Sequence, residues 1–232
     1  ITMLYSIRPH QLFGSIDERS QMFSMVIPDK DSMPVLDSVV LASLLLLTDP
    51  STVFEFGTGG GSTTALFSKN VPGGAVTTLD LAHENLRELG DQIAVEDRFV
   101  SEKHLPRQGY RIERMGCSNV TALHGNSRTY DFSPYAGTVD FVFIDGGHDV
   151  DTVRIDTQNA LQMRNEERPS CIAWHDYGVP RFPDVTRFLN DLSETTDIIH
   201  VKDSHVCFQL HGMDPQMERF RSVGNPNDQI EY

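Results

Sequence analysis

Basic residues are scarce in this chain. Nineteen lysines and arginines stand against 33 aspartates and glutamates, a formal charge of -14. A field of that sign repels phosphate backbones, so nucleic acid is not expected as a partner. Cysteine is scarcer still: Cys117, Cys171 and Cys207 are far apart and odd in number. They suggest neither a disulfide framework nor a zinc cluster, and fit reduced thiols in a cytoplasmic protein. No apolar run approaches the ~20 residues that a bilayer-spanning helix needs. The longest, VVLASLLLL at 39–47, reads as a core helix, so a membrane is not expected as a partner. Repeats, low-complexity tracts and Pro/Gly/Ser-rich linkers are missing too, and no signal-peptide pattern is visible. The 232 residues therefore read as one domain with ordinary globular composition.

What is present is an alternation of strand and helix signals. After Pro34, VLDSVVLASLLLL is apolar enough for a buried helix, stopped at Pro50. TVFEF is a short strand, STTALFSKN a helix, PGG a turn and AVTTLDL a second strand. Strand, helix and strand within about 30 residues form the unit that builds parallel sheets. Three further strands are expected at VTALHG, VDFVFIDG and SCIAWHD, with helical stretches after the last two. DIIHV, KDS and HVCFQL read as a closing antiparallel hairpin. The expectation is an α/β fold: a Rossmann-like, doubly wound, mostly parallel seven-stranded sheet with a C-terminal antiparallel hairpin. Residues 1–33 show no sustained period and are assigned as an N-terminal arm, 34–211 as the main domain, and 212–232, polar and Pro/Gly-punctuated, as a C-terminal surface tail. Residues 81–118 are charged and hard to divide.

The densest signal is VFEFGTGGGSTTALF at 53–67, with four glycines in five residues between a strand and a helix. Ligands of such sheets bind beyond the carboxyl ends of the strands, where strand order reverses. A nucleotide-triphosphate loop is excluded, because no lysine follows the glycines. The dinucleotide fingerprint G-x-G-x-x-G fits Gly57 and Gly59 but meets Ser62 in place of its third glycine. Two carboxylates frame the turn. Glu55 precedes it at the end of an apolar strand, and Asp80 ends the next strand, about 20 residues on, where a carboxylate accepts hydrogen bonds from ribose hydroxyls. Together they ask for a ribose-bearing ligand with a positive end.

VFEFGTGGGST resembles the first motif of the class I S-adenosylmethionine-dependent methyltransferases, usually E/D-x-G-x-G-x-G, and the resemblance extends over about 35–210. It implies S-adenosyl-L-methionine as cofactor, a donor loop of Glu55, Gly57, Thr58, Gly59, Gly61 and Ser62, and Asp80 on the ribose. LHGNSRTYDF resembles the segment near the adenine and implicates Asn126 and Ser127.

A second constellation is FIDGGHD at 143–149 with AWHDY at 173–177. If their strands are neighbours, Asp145, His148, His175 and Asp176 converge on the rim beside the donor loop. Such a set suits either a divalent metal or a proton-transfer pair. IDGGH and HDY resemble a bacterial subset of these enzymes related to small-molecule O-methyltransferases, some of which bind magnesium at the matching strand ends. Asp145, His175 and Asp176 are the candidate metal ligands. The imidazole moves the preference from magnesium toward manganese, iron or zinc. His148 and Asp145 are the candidate catalytic pair, with His148 as general base because its ordinary pKa lies near neutrality, and Asp145 also borders the donor. The expected function is methyl transfer to an oxygen of a small-molecule acceptor. An NAD(P)-dependent oxidoreductase and a non-catalytic donor-binding protein are the alternatives. A homo-oligomer, exchanging arm and tail between subunits, is compatible with the sequence.

Overall fold

In the computed structural model, residues 3–17, 23–27, 32–82, 84–86, 95–226 and 228–230 are described. The chain opens with β1 (Leu4–Ile7) and a short helix α1 (Pro9–Phe13). The apolar run after Pro34 forms α2 (Val35–Thr48), apolar on nearly every face and therefore buried between other elements. It ends at Asp49, which takes a left-handed conformation before Pro50.

Next come β2 (Thr52–Phe56), α3 (Ser62–Asn70) and β3 (Ala75–Asp80). They are followed by α4 (Val95–His104), a single 3-10 turn (Leu105–Arg107), α5 (Tyr110–Arg114) and β4 (Val120–His124). The regular alternation resumes with β5 (Phe141–Ile144), α6 (Val150–Met163), β6 (Ser170–Trp174) and α7 (Pro183–Ser193). The chain closes with β7 (Ile198–Val201), β8 (Cys207–His211), α8 (Asp214–Val223) and β9 (Asn225–Pro226).

All strands join one sheet in the order β4-β3-β2-β5-β6-β8-β7-β1-β9. β2 to β6 run parallel, and β8 lies antiparallel between β6 and β7. This is the expected Rossmann-like, mostly parallel arrangement with its antiparallel hairpin. The chain leaves β2 toward β3 on one side and returns to β5 on the other, so strand order reverses at the ends of β2 and β5. Alternation distributes the strand side chains to two cores. Phe141 and Phe143 of β5 pack with α2 and α3, whereas Val142 and Ile144 face α6 and α7.

Among the described residues nine strands stand where seven were expected, because the arm and the tail each add one. β1 pairs in parallel with β7, and β9 covers β1. The reading of residues from 212 on as a surface tail is corrected by α8, whose Met217 and Phe220 are buried with Met213. Phe220 meets the Phe208 ring edge-on at 5.7 Å. Methionine and phenylalanine at positions 213, 217 and 220 make a helical apolar stripe that the surrounding polar residues conceal.

Candidate functional site

β2 delivers the chain to Gly57, whose φ of 94° is open to glycine and strained for other residues. A Cβ there would also collide with the carbonyl oxygen of Asp145 on the neighbouring strand. Gly61 caps α3 at φ 82°, and a Cβ would come within 2.9 Å of Ile112 Cγ1. Both glycines are thus required by the protein's own packing as much as by any ligand. The Gly59 amide donates to Asp80 Oδ2 at 2.8 Å and the Leu81 amide to Asp80 Oδ1 at 2.8 Å, which fixes that carboxylate at the tip of β3.

Above these strand ends lies a cleft of about 510 Å³. Gly57, Thr58, Gly59, Ser62, Asp80, Asn126, Ser127, Asp145, His148, His175 and Asp176 all line it. Gly61 and Glu55 do not. Glu55 is fully buried, accepts from the Thr64 hydroxyl at the start of α3, and leaves Oε1 without a hydrogen bond. Burial pushes its pKa to about 8 against the lowering effect of Thr64 and Thr78, so at neutral pH it is a neutral acid inside the fold. Strand alternation sends its side chain to the α3 side, away from the place where a cationic ligand would meet it.

The rim is a chain of alternating carboxylates and imidazoles. His148 Nδ1 lies 2.5 Å from Asp97 Oδ1 and Nε2 lies 2.7 Å from Asp176 Oδ2, while the ring stacks on Phe182 at 3.7 Å. Burial disfavours the imidazolium, but the bonds to Asp176 and Asp97 outweigh it and raise the pKa to about 10. With both nitrogens protonated and engaged, His148 has no lone pair to offer a substrate, which argues against the base role read from its ordinary pKa. Asp176 sits at φ 64°, a left-handed position that aspartate tolerates better than most residues. Against its own burial, His175 and His148 hold its carboxyl well below the usual range.

His175 is buried at the end of β6. Its Nε2 lies 2.9 Å from Asp37 Oδ2, and its Nδ1 faces Asp145 Oδ1 at 3.2 Å and Asp176 Oδ1 at 3.3 Å. Those carboxylates raise its pKa well above the ordinary value despite burial. Asp37, fully buried in α2, also accepts the His205 amide at 3.1 Å and faces its Nδ1 at 3.1 Å. Asp37, Asp97 and His205 are the members that sequence reading missed. The signal for Asp37 is one carboxylate inside an otherwise apolar helix, which a buried partner must compensate. Asp145, His175 and Asp176 each offer one ligand atom, all within 4.8 Å of one another. The chemistry of this set fits a divalent cation: two carboxylate oxygens and an imidazole whose far nitrogen is oriented by a carboxylate, as metal-binding histidines commonly are.

A family model described as a methyltransferase domain matches residues 54–177. The chain belongs to the methyltransferase-domain family. The resemblance to class I S-adenosylmethionine-dependent methyltransferases holds at that level, and the oxidoreductase alternative is set aside. No curated protein matches the chain. Among solved structures, the O-methyltransferase TomG of Streptomyces achromogenes, in complex with S-adenosylmethionine, superposes with a TM-score of 0.55 at 14% identity. The match covers 88% of this chain and 97% of that one. The S-adenosylhomocysteine-bound methyltransferase PaMTH1 of Podospora anserina gives 0.59 at 12% identity over 87% and 86% of the two chains. An O-methyltransferase of Bacillus cereus in complex with S-adenosylhomocysteine gives 0.51 at 16% identity over 78% and 82%. At these identities the likeness is one of fold.

In this methyltransferase the loop beyond β4 is held by Arg128, which donates to both oxygens of Asp149, at 2.7 and 2.8 Å, and to the Thr152 hydroxyl. Asp149 in turn caps α6 by accepting from the Asp151 and Thr152 amides. The clamp ties the Asn126–Ser127 wall to the loop that carries Asp145 and His148. Ser32 and Met33 of the arm, Pro34 ahead of α2 and Phe99 of α4 also line the cleft. Among the described residues no helix is long and apolar enough to cross a membrane.

Proposed function

We propose that this methyltransferase carries the methyl group of S-adenosylmethionine to a hydroxyl oxygen of a small molecule. The observation that carries the reading is the division of one cleft into two halves. Gly57, Gly59, Asp80, Asn126 and Ser127 offer backbone and hydrogen-bonding groups suited to the donor's amino acid, ribose and adenine. Asp145, His175 and Asp176 add charged groups to the same cleft. The solved O-methyltransferases that share the fold support oxygen as the acceptor atom.

In this reading the donor lies along the β2–β3–β4 ends with its sulfonium methyl toward Asp145. An acceptor hydroxyl hydrogen-bonds to Asp145, the most exposed of the rim carboxylates at 24%. As oxygen forms its bond to the methyl carbon, the carbon–sulfur bond breaks, its electrons return to sulfur, and the hydroxyl proton passes to Asp145. Holding the two reactants in line supplies about 7–11 kcal/mol of the barrier. His148 acts as a fixed cation that keeps Asp97 and Asp176 in place. As the alternative to proton uptake by Asp145, a magnesium or manganese ion would be held by Asp145, Asp176 and His175 Nδ1 once that nitrogen has given up its proton, and its charge would ease loss of the acceptor's proton.

Calorimetry with S-adenosylmethionine and S-adenosylhomocysteine, followed by mass-spectrometric screening of hydroxylated small molecules, tests the reading. Donor binding and a gain of one methyl on oxygen are expected. Donor binding without transfer to any hydroxylated compound would leave a donor-binding protein instead.

A further inference from the structure

Arg181 is a charged side chain on the rim that the methyl-transfer chemistry leaves unused. It is exposed, lines the cleft, and sits on the loop between β6 and α7. Its guanidinium carbon lies 5.3 Å from the Phe182 ring centre and 6.0 Å from that of Phe99. The other rim charges have partners. Asp97 and Asp176 hold His148, Asp37 and Asp145 hold His175, and Arg128 holds Asp149. The nearby Asp184 is taken by Arg187. Among the described residues no carboxylate pairs with Arg181, in a chain carrying 33 acidic residues.

Phe99 is the second observation. It is 62% exposed and lines the cleft, so it presents an apolar ring to whatever binds there. Phe182 already has His148 stacked on it and Arg181 close by. A guanidinium resting against aromatic rings keeps its in-plane N–H groups free, and these match the two oxygens of a carboxylate or phosphate. The net charge of -14 opposes anions only at long range, because exposed charges beyond ~8 Å are largely screened at physiological salt.

We propose that Arg181 selects acceptors bearing a carboxylate or phosphate beside a flat apolar body, and that Phe99 is the surface on which that body lies. The proposal rests on the methyl-transfer reading above and adds the acceptor's chemistry to it. Arg181 touches the acceptor away from the reacting oxygen, so it governs acceptor affinity and leaves donor affinity alone.

The test uses protein saturated with S-adenosylhomocysteine, whose own binding is measured first by calorimetry. 4-Hydroxybenzoate, 3-(4-hydroxyphenyl)propionate and 4-hydroxyphenyl phosphate are then titrated, the acids beside their amides and the phosphate beside hydroquinone. At least one anion should bind about tenfold more tightly than its neutral counterpart, and the gap should narrow in about 0.5 M NaCl. Arg181→Met should bring the pair within about twofold while leaving the neutral probe and S-adenosylhomocysteine unchanged. Arg181→Lys should recover part of the preference, since it restores the charge without the planar fork. Phe99→Ala should weaken both members of a pair equally. Equal affinities in the unmodified protein, failure of every anion to bind, or a preference that survives Arg181→Met would overturn the proposal while the donor reading stands. Failure of S-adenosylhomocysteine to bind would overturn the donor reading, and this proposal with it.

Discussion

The two halves of the cleft are built by different means. The donor half is mostly backbone: Gly57 and Gly61 are held by contacts with Asp145 and Ile112, and Asp80 is pinned by the Gly59 and Leu81 amides. The rim is mostly side chain, a line of carboxylates and imidazoles drawn from α2, α4, the ends of β5 and β6 and the β7–β8 hairpin. A glycine turn is an uncharged geometry that steric contact and a few hydrogen bonds can hold. A buried charge network needs every distant member in place, because a missing partner leaves an uncompensated ion.

Four substitutions would break or sharpen that contrast, and they are taken from the largest expected effect down. Asp145→Asn should lower turnover by about 10²–10⁴-fold, the range for loss of a proton-transfer group, while S-adenosylmethionine affinity measured by calorimetry changes little. Equal losses in both would mean that the two halves are not separable. Asp37→Asn should cost about 3 kcal/mol in urea unfolding, the low end for breaking a buried pair, because His175 keeps Asp145 and Asp176 as partners. A cost near zero would show that α2 contributes no charge to the rim. Asp80→Ala should weaken donor binding by about 10–100-fold, equivalent to one hydrogen bond to a charged group, with little effect on the unfolding midpoint.

Glu55→Gln should have the smallest effect on turnover and donor affinity, and its effect on stability shows in pH dependence. Burial raises the Glu55 pKa from 4.5 to about 8 in the folded protein. Between those values the folded state holds a proton that the unfolded chain has lost, so stability falls as pH rises, by up to about 1.4 kcal/mol per pH unit from this group. The contribution is complete below 4.5 and gone above about 8. The glutamine variant should show a flatter stability curve across that window. An unchanged slope would mean that Glu55 is ionised in the folded protein and that the donor half contains a buried charge after all.

The sequence was legible where a signal is local. Asp80 could be placed because strand, turn, helix and strand follow in order and put it at a strand tip beside the glycines. The hairpin 198–211 could be read from two apolar runs around KDS. The stripe of Met213, Met217 and Phe220 was equally local, yet charged neighbours diluted it, and the helix was read as tail. Leu4 to Ile7 gave no warning, since four residues cannot show a period. On the rim, IDGGH and HDY supplied residue types and left their partners open. An ordinary histidine pKa suggested a base, whereas Asp97 and Asp176 hold His148 as a cation.

By itself the sequence determined the order of strands and helices, the single glycine turn after β2, and the carboxylate about 20 residues beyond it. These depend on backbone preferences and on hydrophobic period, which act over a few residues. Only the tertiary structure decided that Glu55 faces inward, that Gly57 yields to the Asp145 carbonyl, and that Asp37, Asp97, His148, His175 and His205 form one network with Asp176. Those outcomes depend on which strands become neighbours and on how α2 and α4 pack against them. Electrostatic partners meet in space, and their spacing along the chain carries no record of the meeting.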